Sequence, residues 1–255
     1  DRSPSRGLGD VYKRQILYTG LRNQELLQKK DGYSMKWIKR LCSFIFLCLF
    51  CVGVFMLWRG YEDCQDALDK MSVQEMGAQI QTKEDYATLE QLPEDYIDAV
   101  LAVEDKRFYR HPGIDPIAIC RALYHDILAG AYVEGGSTIT QQLAKNQFFT
   151  QDKKISRKVA EMFMAFEIEK VYDKKTILEL YLNSIYFGNG YNSVTEACRG
   201  YFGKEPIEMN FDECTMLAGI PNAPSAYNPL INPDLAWQRQ QQVIRKMEKA
   251  GFLNK

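Results

Sequence analysis

Apolar positions fall in two regimes along the chain. Residues 41–58 read LCSFIFLCLFCVGVFMLW, eighteen positions without a charge, while from about residue 90 onward apolar residues recur at helical spacing. As a helix the first block spans about 27 Å, close to the hydrocarbon thickness of a bilayer. A core helix of that length carries a polar face, and this one has none. The rival reading is a cleavable signal peptide. The block ends Met56-Leu57-Trp58-Arg59, which is not a small-x-small cleavage site, and neither Cys51 nor Cys64 follows the small residues that precede a lipidated cysteine. The block therefore reads as an uncleaved transmembrane signal anchor over 41–58. Lys36, Lys39 and Arg40 precede it; Arg59, Glu62 and Asp63 follow. The positive-inside rule then places the N-terminus in the cytoplasm and residues 59–255 outside, with Trp37 and Trp58 at the two interfaces.

Beyond the anchor the pattern predicts helices and few strands, a mainly α fold. Residues 59–90 are polar and weakly periodic, which predicts a stalk leading into a domain over 91–255. Leu92-Pro93-Glu94-Asp95 opens a helix, with proline and acidic residues suited to its first turn. Ile97, Val100, Leu101 and position 104 follow the i, i+3, i+4, i+7 rule, and position 104 is a glutamate. A carboxylate thus closes an apolar stripe; it is either partly desolvated or, where the helix frays, wet, and periodicity leaves both open. A second helix is predicted over roughly 114–129. Next, Gly135-Gly136-Ser137-Thr138-Ile139-Thr140-Gln141-Gln142 is a flexible loop entering a helix, with Thr138 and Gln141 spaced as a capping box. Such a start offers amides and a positive dipole end to an anion, or is simply a cap. Lys145 shares the face of Gln141, and the Gly-Lys-Ser/Thr ending of a nucleotide-binding phosphate loop is missing.

From Ser156 to about Tyr172 a helix carries two apolar stripes, Val159, Met162, Phe163 and Phe166 on one and Met164, Ala165 and Ile168 on the other, with Glu161 on the second. Arg157 lies four residues before Glu161, in reach of an ion pair. Asp173 caps a further helix through Ile177, Leu178, Tyr181 and Leu182, ending near Gly188 and Gly190; Pro221, Pro224, Pro229 and Pro233 make a rigid loop, and a last helix holds Val243, Ile244 and Met247.

Composition narrows this little. The 255 residues carry 32 Lys+Arg against 33 Asp+Glu, a net charge of −1, which argues against a nucleic-acid partner. Seven cysteines are too few for a disulfide-built scaffold; Cys64, Cys120, Cys198 and Cys214 lie outside the anchor, and no short spacing pairs them. The mean hydropathy of −0.33 averages over one segment that is not soluble. The opening string, through Ser5-Arg6-Gly7-Leu8-Gly9-Asp10-Val11-Tyr12-Lys13-Arg14-Gln15, resembles a translated sequencing adapter, so residues 1–15 are excluded from fold reasoning. Residues 16–40 read as leader and basic cytoplasmic flank, with Met35 as a natural start.

Four segments in order resemble the peptidoglycan glycosyltransferases, namely the monofunctional biosynthetic transglycosylases and the glycosyltransferase half of class A penicillin-binding proteins. The first is Glu104-Asp105-Lys106-Arg107-Phe108-Tyr109-Arg110-His111-Pro112-Gly113. The second runs from Gly136 to Gln142 and on through Leu143-Ala144-Lys145-Asn146. Arg157-Lys158-Val159-Ala160-Glu161 is the third, and the fourth runs from Lys174 through Ile177-Leu178-Glu179-Leu180-Tyr181-Leu182-Asn183. Asn222 through Pro229 is similar too. Two positions depart: Lys153 stands where such enzymes often carry arginine, keeping the charge but losing the bidentate fork, and Gln240 stands beside Arg239 in a motif usually rich in arginine.

The resemblance implies a lysozyme-like, two-lobed glycosyltransferase domain behind one transmembrane helix, polymerising lipid II into β-1,4 glycan strands by inverting transfer, with undecaprenyl pyrophosphate leaving. It implies Glu104 as the base, and Glu161 orienting cations or sharing a divalent metal, Mg or Mn, with the pyrophosphate. Ser137, Thr138, Gln141, Gln142, Lys145, Lys153, Arg157 and Lys158 would hold the pyrophosphate; Asp105, Phe108, His111, Gly113, Glu179 and Asn183 would support the site. Partners would be lipid II, the growing strand, membrane lipid and cell-wall synthesis proteins. The chain reads either as a monofunctional enzyme or as part of a class A protein. Two rival readings stand beside this: a lytic, murein-cleaving enzyme on a related fold, which does not need the Arg157–Glu161 cluster, and a non-enzymatic anchored scaffold, which does not need Glu104 and Glu161 together.

Overall fold

The computed structural model describes residues 5–131, 135–150 and 155–253. The chain divides into two units, Asp1–Phe55 and Met56–Lys255. Residues 1–4 of the adapter-like string lie outside the described residues, and the backbone is helical from Ser5. Helix α1 (Ser5–Leu68) contains the stretch Trp37–Leu68, which is long and apolar enough to cross a membrane. Its apolar side chains in the first unit, among them Phe44, Phe46 and Leu49, are exposed.

The second unit is built of helices: the end of α1, then α2 (Val73–Gln81), α3 (Glu94–Glu104), α4 (Pro116–Ala129), α5 (Ile139–Phe148), α6 (Ile155–Val171), α7 (Lys174–Leu182), α8 (Val194–Phe202), α9 (Phe211–Gly219) and α10 (Pro233–Ala250). Among the described residues there is no strand, only an isolated bridge between Gly188 and Tyr191. The predicted helices are present, and their caps follow the sequence. Thr138 and Gln141 form the capping box of α5, Asp173 caps α7 by accepting from the Thr176 amide, and α4 stops at Gly130, whose φ of +62° suits glycine.

Three helices escape the periodicity, α2, α8 and α9. Each is opened by a short polar residue with glutamate three positions on. Ser72 and Glu75 make a full capping box, as do Asn210 and Glu213, and the Ser193 hydroxyl accepts from the Glu196 amide. At nine residues each, they give a periodicity window too little to average.

One apolar core joins these elements. α3 packs on α9 and α10, and α5 packs on α6 and α7. Tyr96, Leu143, Met164, Ile168, Leu178 and Tyr181 are among its fully buried side chains. The expectation of a stalk over 59–90 is corrected. Cys64, Ala67, Val73, Met76, Ile80 and Ala87 are all buried in this core. A Cβ on Gly60 would come 2.5 Å from the Val159 side chain, and Tyr61 stacks edge-on against Phe163 with ring centroids 5.6 Å apart. The missing side chain of Gly60 lets the backbone of α1 approach α6 closely. α4 differs from an ordinary core helix in leaving Ile117, Leu123, Tyr124, Ile127 and Leu128 exposed.

The cysteines outside the apolar block of α1 are free thiols: Cys64, Cys198 and Cys214 buried, Cys120 exposed. Burial pushes the Cys198 and Cys214 thiols up to about 12, so both are poor nucleophiles at neutral pH. Tyr96 is fully buried and its hydroxyl has no hydrogen-bond partner among the described residues. An unpartnered buried hydroxyl opposes folding. Tyr96→Phe is therefore expected to leave the melting temperature unchanged or raised in thermal denaturation; a loss of more than about 1 kcal/mol would show that the hydroxyl is bonded after all.

Candidate active site

Two adjacent carboxylates part company where α3 ends. Glu104 is the last helical residue and stays half-buried. Asp105 leaves the helix at φ −159°, ψ 77°, and its side chain turns into the interior. There it accepts from Nε2 of His111 at 3.0 and 3.1 Å and from the Ile139 amide, the first of α5, at 3.1 Å. A short turn, Phe108–Arg110, brings His111 back, and Gly113 follows at φ +88°. Glycine is required there twice over, by that φ and because a Cβ would meet the Ala165 carbonyl oxygen at 3.1 Å. The Gly113 carbonyl accepts from the Thr138 hydroxyl at 2.6 Å. The first motif is thus folded onto the start of the second.

Of the two readings left open for the α5 start, an anion site or a cap, the contacts within the chain are those of a cap. Asp105 is the anion at that positive dipole end. The Gln141 amide is taken by the Thr138 hydroxyl, and the Thr138 amide by Oε1 of Gln141. Thr138 and Gln141 are both buried within the cap, so neither side chain is presented to a substrate. Gln142 turns elsewhere: its Nε2 donates to Oε2 of Glu104 at 2.7 Å, and its Oε1 accepts from the buried Tyr181 hydroxyl at 3.3 Å.

The other glutamate sits in a cationic setting. Glu161 is 1% exposed. Its Oε1 accepts from Nε of Arg157 at 3.0 Å and its Oε2 from Nζ of Lys158 at 2.7 Å. Lys158 also donates to the Ser137 hydroxyl at 2.8 Å, and Arg157 donates to the Thr150 carbonyl at 3.1 Å. Burial makes this an unlike case to a surface i, i+4 pair: one carboxylate organises two cations at the mouth of the Ser137 loop. Lys145 is half-buried and makes no ion pair among the described residues. Lys153 lies outside the described residues.

The remaining candidates brace the site. Phe108 is buried with Nζ of Lys174 4.4 Å from its ring centroid. Lys174 and the Thr140 hydroxyl both donate to Oε1 of Glu169, each at 2.6 Å. Glu179 accepts from the Tyr86 hydroxyl and the Leu89 amide, and Asn183 exchanges two 2.8 Å bonds with the backbone of Ala87, so the fourth motif pins residues 86–89 against α7. The last motif is structural: its retained Arg239 donates to the Gly219 carbonyl at the end of α9, and the departing Gln240 donates to the Asp212 carbonyl and the Thr215 hydroxyl.

Sequence reasoning gave no role to Tyr181, nor to the Arg107–Asp115 pair, whose spacing of eight matches no helical period. Arg107 bonds Asp115 through both Nε and Nη2, and Asp115 caps α4 through the Ala118 amide. Burial pushes the Asp115 carboxyl up, but the Ala118 amide and the Arg107 guanidinium overcome it and hold the group below the usual carboxylate range.

Glu161 does not fit a resident divalent ion, since both its oxygens are already taken by cations. Asp105, His111 and Asp115 offer ligand atoms within 4.8 Å of one another. Yet Asp105 is committed to His111 and the Ile139 amide, and the Arg107 guanidinium occupies the cation's place on Asp115.

Asp105→Ala is expected to cost about 3 kcal/mol in chemical denaturation, because it leaves the Ile139 amide and His111 buried without a partner. For Asp115 the depressed folded value means its stabilisation is complete above about pH 4 and is lost as pH falls through the folded value. Asp115→Asn should therefore be less stable than the parent at pH 7, with the gap closing below about pH 4; a gap independent of pH contradicts the pairing.

Comparison with known proteins covers the same stretch of chain. A family model described as Transglycosylase matches residues 69–248. Penicillin-binding protein 1A of Aquifex aeolicus is 46% identical over 168 residues, 66% of this chain and 23% of that protein. Penicillin-binding protein 1F of Bacillus subtilis is 46% identical over 167 residues, again 66% of this chain and 23% of the relative. Penicillin-binding protein 1A of Vibrio cholerae is 38% identical over 238 residues, 87% of this chain and 29% of that protein. The chain thus spans less than a third of the length of these relatives. The match begins at residue 69, inside the segment that the fold shows to be core. With its four motifs gathered around the start of α5, the chain belongs to the transglycosylase family.

Proposed function

We propose that the domain polymerises lipid II into the β-1,4 glycan strands of peptidoglycan, from the outer face of a membrane that α1 crosses once. An α-linked donor and a β-linked product require inversion in a single displacement. Glu104 takes the proton from the 4-hydroxyl of the acceptor sugar. The acceptor oxygen forms its bond to the anomeric carbon, and the bond to the pyrophosphate breaks, the electron pair leaving with undecaprenyl pyrophosphate. A leaving pyrophosphate needs fixed positive charge beside it. Lys158 and Arg157, held by Glu161, supply that charge with Ser137, and Lys145 and Lys153 complete the set.

The observation that carries this reading is the division of labour around α5. One glutamate, half-buried and bonded to an amide, has no cation on it among the described residues. The other is buried and bonded to two cations. A base must be able to accept a proton, so it belongs at the first position; a carboxylate neutralised by arginine and lysine belongs at the second as an organiser. The lytic alternative gains nothing from a two-cation cluster, and a scaffold gains nothing from two glutamates so differently held. The basic residues before the apolar block, Lys36, Lys39 and Arg40, support a cytoplasmic N-terminus with the domain outside.

Glu104→Gln is expected to reduce polymerisation of purified lipid II below about 1% of the parent rate while the melting curve is retained; parental activity in that variant would sink the assignment. Glu161→Gln should instead weaken use of lipid II through the loosened cations, lowering kcat/KM about 10-fold to 100-fold.

A further inference from the structure

Glu104, Gln142 and Tyr181 stand in series across three helices, α3, α5 and α7. The Tyr181 hydroxyl donates to Oε1 of Gln142 at 3.3 Å, and Nε2 of Gln142 donates to Oε2 of Glu104 at 2.7 Å. A primary amide is nearly symmetric in shape but not in chemistry: one end only accepts and the other only donates. Its orientation is therefore set by its neighbours. Tyr181 is 1% exposed, and its burial, with the nearby charge of Glu104, raises the phenol far above its ordinary value. The phenol keeps its proton at any working pH and has a donor to place. With that donor on Oε1 of Gln142, the amide nitrogen is the end that faces Glu104. Turning the amide over would set its carbonyl oxygen against a carboxylate oxygen and leave the Tyr181 hydroxyl facing an –NH₂ group.

We propose that Tyr181 is a positioning residue for glycosyl transfer: it locks the Gln142 amide with its nitrogen on Oε2 of Glu104, so that the carboxylate is held in one orientation with Oε1 available for the acceptor's proton. The proposal deepens the reading of Glu104 as base and rests on it. It also reassigns Gln142 from holding the pyrophosphate to orienting the base. The relay is rigid because each member comes from a different helix of the packed core, and α5 packs on α7.

The test is lipid II polymerisation by the full-length chain. Tyr181→Phe removes one hydroxyl and leaves the ring. It is expected to lower kcat about threefold to tenfold, the effect of one hydrogen bond, with KM within about twofold and the melting temperature within a few degrees. The acidic limb of its pH–rate profile should move to higher pH, since a carboxylate stripped of an oriented donor is more readily protonated. In the Gln142→Ala background the same substitution should have no further effect, because the relay is already cut. Tyr96→Phe, the same deletion at a hydroxyl with no partner among the described residues, should leave the rate unchanged. Should Tyr181→Phe fail to fold, Gln142→Met, close in volume and unable to donate, reads the link from its other end and should show the same shifted limb.

A parental rate and pH profile in Tyr181→Phe, or in Gln142→Met, overturns the relay. So does an equal loss of rate from Tyr181→Phe in the parent and in Gln142→Ala, which would mark a purely structural tyrosine. A parent chain that leaves lipid II unpolymerised overturns instead the reading on which the relay rests.

Discussion

At the start of α5 a buried carboxylate, Asp105, accepts from the Ile139 amide and from His111, and the four motifs are arranged around that junction. A buried charge is costly unless it is bonded on several sides and set in a favourable field. Here the field is the positive end of a helix, and the bonds come from two separate segments of chain. The consequence is positional. Glu104, one residue earlier, is fixed relative to α5, so Gln142 one turn along that helix can reach it. Ser137, just before α5, is fixed relative to Lys158, and through it to Glu161. One cap therefore sets the places of two glutamates that lie 57 positions apart in sequence.

The same junction explains why short motifs suffice. The first motif supplies Glu104, a buried carboxylate, a histidine and an obligatory glycine within ten residues. Three of them reach the second motif or α6, Glu104 at Gln142, Asp105 at the Ile139 amide, and Gly113 beneath Ala165 with its carbonyl on Thr138, while His111 holds Asp105 in place. The third motif places Arg157 and Lys158 on one face of α6, three and four residues before Glu161, where helical geometry brings both to a single carboxylate. The fourth holds residues 86–89 by side chains that imitate backbone partners, Glu179 and Asn183.

Much of this was legible in the sequence. The apolar block of α1, the start of α3, the cap of α5, the Arg157–Glu161 pair and the Asp173 cap follow from spacing alone. Other features were not, for physical reasons. In the segment from Gly60 to Ala87 the larger buried residues, Val73, Met76 and Ile80, lie on a helix of only nine residues, too short for a periodicity window. A capping box looks the same whether its amides are open to an anion or, as here, covered by a carboxylate from another motif. Tyr181 lies on the apolar stripe of α7, and nothing in its spacing distinguishes a hydroxyl aimed at Gln142 from one that is unpartnered, as in Tyr96.

The central claim is that a half-buried Glu104, oriented from α5, withdraws a proton while the cations on Glu161 receive a departing pyrophosphate. The most direct measurement is incubation of the full-length chain with purified lipid II, following both the glycan and the lipid product. The expected products are β-1,4-linked strands with one undecaprenyl pyrophosphate released for each new bond. Unchanged lipid II, or glycan shortened when intact peptidoglycan is supplied instead, would contradict it.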